Sequence, residues 1–207
     1  MADNPFSAVL RQIQPSAPSP EDEPYFAALG RFIAAYANAE AQVHILARRL
    51  TKLNDAKARI VFSGMRLGDL AHRIGGLLRV TDASTKRYSE IDGCLRQLDL
   101  IGTQRNNLVH RFVNYQKGGI IATNIVTSKS ISTHEFDTFA IADLENMDSD
   151  CTAITLRLAF SRRKMKPEIK TWLNAPWRYK PPLPAPNPKS RSSTPQSRKR
   201  RPASSRG

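Results

Sequence analysis

The chain has 207 residues, enough for one domain with a buried core, and a formal net charge of +14. Residues 161–207 hold 14 Lys and Arg against one acid, whereas residues 1–160 hold 18 against 17, so the basicity belongs to the C-terminal segment. No apolar run approaches the roughly 20 residues of a membrane helix, and we expect no membrane span.

Proline divides the chain into three parts. All 14 prolines lie at or before Pro24 or at or after Pro167, and the 142 residues between them contain none. A window without proline suits uninterrupted helices. We therefore predict a flexible N-terminal arm and linker over 1–23, a helical domain over 24–165, and a Pro-rich, basic, largely disordered tail over 166–207. From residue 176 on, we expect this tail to bury no core.

The first half of the domain is typical of helices, because apolar residues recur three and four positions apart. We predict helices at about 24–53, 56–62, 66–80 and 85–112. Asn54 offers a break and a cap between the first two. One position of the first apolar stripe holds Glu40, a carboxylate that requires either a partner or access to water.

After residue 110 the pattern changes to alternation. Residues 111–117 and 120–127 flank Gly118-Gly119, a pair suited to a two-residue hairpin turn. The last helix has a start signal in Ser132 with Glu135, which match a capping box, and its apolar face runs from Phe136 through Ala140 to about residue 162.

These elements define a fold class that is mainly α. We predict a helical bundle of four to five helices with a β-hairpin inserted before the last long helix. Cys94 and Cys151 lack metal-type spacing, so we expect free core thiols in a reducing compartment. Without a signal peptide, the chain is expected to be soluble and cytoplasmic. No metal-ligand cluster or cofactor motif appears, and we expect no cofactor.

The tail ends in a basic cluster. Arg198, Lys199, Arg200 and Arg201 are consecutive cations that would attract phosphates and release counterions. They predict sequence-neutral contact with nucleic acid. A solubilising tail, or one attracted to membrane lipids, is the alternative.

The stretch from Arg105 to Arg111 is the candidate site. Arg105 falls on an apolar stripe, where Glu40 of the first helix is its candidate partner. Asn106 and His110 are four residues apart, so they lie one above the other on the same helix face. A cation, an amide and an imidazole, the side chain that titrates near neutrality, suit phosphate chemistry.

The sequence Arg105-Asn-Asn-Leu-Val-His110 resembles the Arg-x4–6-His motif of HEPN domains, in which a polar residue such as Asn106 usually follows the Arg. The resemblance in sequence is limited to this motif, whereas the resemblance in helical architecture covers about residues 24–162. Arg66 and His72 repeat the spacing, but Leu67 follows that Arg. HEPN domains are helical bundles, many of them metal-independent endoribonucleases and toxins that build their site from two subunits.

The resemblance implies a homodimer that acts on RNA, with DNA as the alternative. An RNA 2′-hydroxyl would attack the adjacent phosphate, with His110 as general base or acid, Arg105 stabilising the phosphorane and Asn106 orienting either group. Glu40, Asn107 and Arg111 would support them. The alternatives are a non-catalytic nucleic-acid-binding module, and a dimeric interaction module in which an Arg105–Glu40 pair only fixes helix register.

Overall fold

The computed structural model describes residues 20–81, 84–116, 119–123, 136–160 and 174–180. After a 3₁₀ turn at Pro20–Asp22, the helices in these ranges are α1 (Glu23–Thr51), α2 (Asp55–Phe62), α3 (Leu67–Val80), α4 (Thr85–His110) and α5 (Ile141–Phe160). None of these described helices is both long and apolar enough to cross a bilayer.

Helix α1 is the centre of the bundle, because α3, α4 and α5 all pack against it. One stripe of α1 is buried, and its members recur three or four residues apart, as a helix packed on one side requires. They are Tyr25, Ala28, Phe32, Tyr36, Ala39, Val43, Leu46, Ala47 and Leu50. The predicted helical bundle is confirmed.

The ends of the helices follow local capping chemistry. Lys52, with φ of 57°, terminates α1 in the left-handed conformation. Asn54 then caps α2, its Oδ1 accepting a 3.0 Å hydrogen bond from the N–H of Lys57. Ser84 caps α4 in the same way through the N–H of Arg87 at 3.4 Å. The predicted cap at Asn54 is therefore confirmed, and it separates two helices of very different length.

The predicted hairpin is confirmed before the last helix, and a third strand extends it. Strands β1 (Phe112–Gln116), β2 (Gly119–Thr123) and β3 (Phe136–Ala140) form an antiparallel sheet in the order β1-β2-β3. Gln116 pairs with Gly119, so Gly119 belongs to β2 and not to the predicted Gly118-Gly119 turn. Residues 117, 118 and 124–127 lie outside the described residues.

Strand β3 corrects the prediction for the start of the last helix. Phe136 and Ala140 were expected on the apolar face of that helix, but both lie in β3. All five residues of β3 pair with β2, and Phe139 is buried with 2% of its surface exposed. Pairing and burial therefore outweigh the helical pattern over these residues. Ser132 and Glu135 lie outside the described residues.

Helix α5 starts five residues later than its predicted apolar face, at Ile141. The carboxylate of Asp143 accepts a 3.0 Å hydrogen bond from the N–H of Ala140. An acid in the third helical position that bonds back to the capping residue is one half of a capping box. The start of α5 therefore has its own local signal, which the sequence interpretation missed.

Residues 174–180, here called the strap, return to the bundle and pack against α4 and α5. Tyr179 is 5% exposed, so the expectation that residues from 176 on bury no core is wrong at this position. Asp150 of α5 accepts hydrogen bonds from the N–H of Arg178 at 2.9 Å and that of Tyr179 at 3.0 Å. Gln97 of α4 donates to Asp150 at 3.0 Å and to the carbonyl of Lys180 at 3.2 Å.

The two cysteines are free and buried, as predicted. Burial raises the pKa of Cys94 to about 12, and it raises the pKa of Cys151 as well. Because the thiolate is the reactive form, we expect neither thiol to react with Ellman's reagent in the folded protein at mildly alkaline pH. Both should react at once in guanidinium chloride. Rapid reaction of either thiol without denaturant would contradict their burial.

Candidate functional site

The candidate motif occupies the last two turns of α4. Leu108 points into the core with 7% of its surface exposed, whereas Val109 is 49% exposed and His110 lies at the surface. The helix ends after His110 because Arg111 adopts an extended conformation, while its N–H still bonds to the carbonyl of Asn107 at 3.1 Å. The imidazole is therefore exposed to solvent at a helix end, where a bound polymer could exchange protons with it.

Arg105 is half-buried, and its guanidinium is directed along the helix surface. Its Nη1 donates a 3.0 Å hydrogen bond to Oδ1 of Asn106, which is exposed. Asn106 lies one turn before His110 on the same face. The structure thus brings the predicted Arg105 and Asn106 into direct contact and places His110 on the side of the helix that Asn106 occupies.

The expected ion pair between Arg105 and Glu40 is wrong. Among the described residues no carboxylate lies within salt-bridge distance of the Arg105 guanidinium, whose Nε is buried without a hydrogen-bond acceptor. The guanidinium lies instead over the ring of Tyr36, with its Cζ 5.8 Å from the ring centroid.

Tyr36 is the neighbour that Glu40 and Arg105 share. Burial, followed by the charge of Glu40, raises the pKa of Tyr36 to about 12, and the charge of Arg105 opposes this rise. The phenol is therefore neutral at physiological pH. Among the described residues, the Arg105 guanidinium therefore contacts an uncharged aromatic face and forms no ion pair.

Asn107 and Arg111 are joined to the sheet through one carboxylate. Oδ2 of Asp137, in β3, accepts a 2.8 Å hydrogen bond from Nδ2 of Asn107 and a 2.7 Å bond from Nη1 of Arg111. The Arg111 side chain is only 15% exposed. Both residues were expected to support the site, and these contacts hold the end of α4 against β3. Asp137 was missed because it was assigned to a helix.

Within the described residues, the motif lies at the exposed end of a helix. Surface grooves of about 450, 420 and 360 Å³ lie between α1 and α2, between α3 and α4, and between α1 and α5. His44 lines the first and His72 the second, and none of the three includes the motif. The described residues contain no group of three His, Cys, Asp or Glu side chains that could hold a metal ion.

The predicted nucleic-acid contacts of the tail, Arg198 to Arg201, lie outside the described residues. A comparison of the chain with protein-family models, curated proteins and solved structures finds no match.

Proposed function

We propose that this protein is a HEPN-like RNA-processing protein that cleaves RNA by 2′-hydroxyl attack without a metal ion. The observation that carries the proposal is the arrangement at the end of α4. Arg105 has no carboxylate partner among the described residues, it bonds to the exposed amide of Asn106, and His110 is exposed one turn beyond. A guanidinium without a carboxylate partner, on the same two turns as an accessible imidazole, suits a phosphodiester better than a structural latch.

In the proposed reaction, the 2′-oxygen bonds to the neighbouring phosphorus and the bond from phosphorus to the 5′-oxygen breaks. One imidazole accepts the proton of the 2′-hydroxyl, and an acid donates a proton to the departing 5′-oxygen. Arg105 stabilises the added negative charge on the phosphorane. The products are a 2′,3′-cyclic phosphate and a 5′-hydroxyl end.

The proposal includes a homodimer, because an open helix end holds one imidazole and the reaction needs both a base and an acid. A second copy of the motif would supply the other group. Val109, 49% exposed beside His110, is an apolar side chain that a second copy could cover. Light scattering on the purified protein measures this oligomeric state.

A fluorescent single-stranded RNA and a DNA of the same sequence test the proposal on the full chain. We expect RNA cleavage to persist in excess EDTA, to leave cyclic phosphate ends, and to be absent on DNA, which lacks the 2′-hydroxyl. Loss of cleavage in EDTA, or equal cleavage of DNA, would refute the proposed reaction.

The second candidate function is non-catalytic nucleic-acid binding, which the charge of the tail favours. Deleting residues 181–207 removes seven Lys and Arg but keeps the packed strap. If binding resides in the tail, this deletion should remove most of the affinity and flatten its salt dependence, and no RNA should be cleaved by either form. Cleavage by the truncated chain would exclude this alternative.

A further inference from the structure

Tyr36 meets α4 at a glycine. A Cβ atom added to the buried Gly102 would lie 2.7 Å from the Tyr36 hydroxyl oxygen and 3.5 Å from the ring carbon that carries it. The hydroxyl therefore occupies the space that any side chain at position 102 would take. Glycine at this point lets the Tyr36 ring come this close to the α4 backbone, and the contact sets the position of the ring.

The same ring lies under Arg105, one turn further along α4. Gly102 and Arg105 are three residues apart, so both face α1. The ring holds the guanidinium through its π face, with Cζ 5.8 Å from the centroid, and adds no negative charge. Because the ring contacts the face of the guanidinium, it occupies none of the in-plane N–H donors, whereas a carboxylate partner would bond to them directly.

We propose that Tyr36 is a positioning residue of the proposed RNA site, and that its ring, for which Gly102 leaves room, sets where Arg105 lies. The inference rests on the proposed function for its kinetic consequence. Its structural part is that Gly102 leaves room for the Tyr36 ring, which positions the Arg105 guanidinium. This part is tested separately.

The test uses a substitution that moves the ring and a second one that relieves the clash. Gly102→Ala places a methyl group 2.7 Å from the Tyr36 hydroxyl oxygen, which must displace the ring and with it the guanidinium. We expect kcat on RNA to fall about tenfold with little change in KM, since a misplaced Arg105 weakens transition-state stabilisation. Tyr36→Phe keeps the ring and should lower kcat by no more than about twofold.

The double variant Gly102→Ala with Tyr36→Phe supplies the rescue. Without the hydroxyl oxygen, the nearest atoms to the new methyl are ring carbons at 3.5 and 3.6 Å, an ordinary contact distance. We expect kcat to return to the value of Tyr36→Phe alone. Gly93→Ala is the matched control on the same helix, because nothing lies within 4 Å of its added Cβ. It should leave kcat unchanged.

Each outcome either supports or overturns the inference. A wild-type kcat in Gly102→Ala, or a double variant as impaired as Gly102→Ala, overturns the positioning role while the proposed function stands. If the wild-type protein neither cleaves nor binds RNA, the proposed function fails, and NMR of the Arg105 side chain decides the structural part. Its Nε–H resonance should shift in Gly102→Ala, because the ring current moves, and return in the double variant. An unshifted resonance overturns the inference.

Discussion

Replacing Asp150 with alanine should lower the free energy of unfolding by about 3 kcal/mol. The carboxylate is 2% exposed and accepts hydrogen bonds from two strap amides and from Gln97. Without the carboxylate, either its three donors stay buried without an acceptor or the strap detaches from the bundle. In the second case the protein loses the burial of Tyr179, worth roughly 2 kcal/mol. Because a detached strap can bond to water, detachment limits the total loss of unfolding free energy.

Urea unfolding measures this change, and Asp148→Ala is its control. Asp148 lies on the same helix, is half-buried, and accepts no hydrogen bond from a described residue, so its removal should change stability by less than about 0.5 kcal/mol. Trp177 reports on the strap, because its ring packs under the guanidinium of Arg157 at 4.1 Å. If Asp150→Ala unfolds at the same urea concentration as Asp148→Ala, Asp150 does not hold the strap.

The strap illustrates what local patterns do not reveal. Tyr179 stands between Pro176 and Pro181 in a basic, proline-rich stretch, which by composition indicates a solvated tail. Its burial depends on a carboxylate 29 residues earlier, and no periodicity links the two positions. The helices differ in this respect, because α1 carries its own buried stripe and Asn54 its own cap within a few residues. Local signals were therefore sufficient for the bundle and insufficient for the strap.

Strand β3 failed in prediction for a related reason. Apolar residues at Phe136, Phe139 and Ala140 fit both a helix face and a half-buried strand, and only pairing with β2 decides between them. This error affected the site, because Asp137 could be recognised as the partner of Asn107 and Arg111 only once β3 was known.

Within the site, the sequence identified the position of the motif better than its contacts. The helical pattern placed Arg105 and His110 near the end of α4, as the structure has them. The expected Arg105–Glu40 pair followed from charge alone. It could not take account of Tyr36, whose ring occupies the interface between α1 and α4 that an ion pair would need. The spacing of Tyr36 and Gly102 does not predict their contact, because it arises from the packing of α1 against α4.

His110→Ala should lower kcat for RNA cleavage by about 10³-fold, the largest kinetic effect that we expect, because positioned acid–base groups contribute on the order of 10²–10⁴. RNA affinity should change little, since the phosphate contacts assigned to Arg105 remain. The melting temperature should also stay within a degree or two, because the side chain is exposed at the end of α4. Single-turnover cleavage, a binding titration and a thermal melt measure the three quantities.

His72→Ala is the matched control, because it removes an equally exposed imidazole from α3, away from the motif. It should cleave RNA as the wild type does, and a loss in this variant equal to that of His110→Ala would assign the chemistry elsewhere.

Arg105→Ala completes the comparison. A latch that fixed helix register would lose several kcal/mol of stability with this change, whereas an anion-binding guanidinium held by Tyr36 and Asn106 would lose about 1 kcal/mol. If Arg105→Ala loses cleavage but keeps most of its stability, the site is therefore catalytic and not structural.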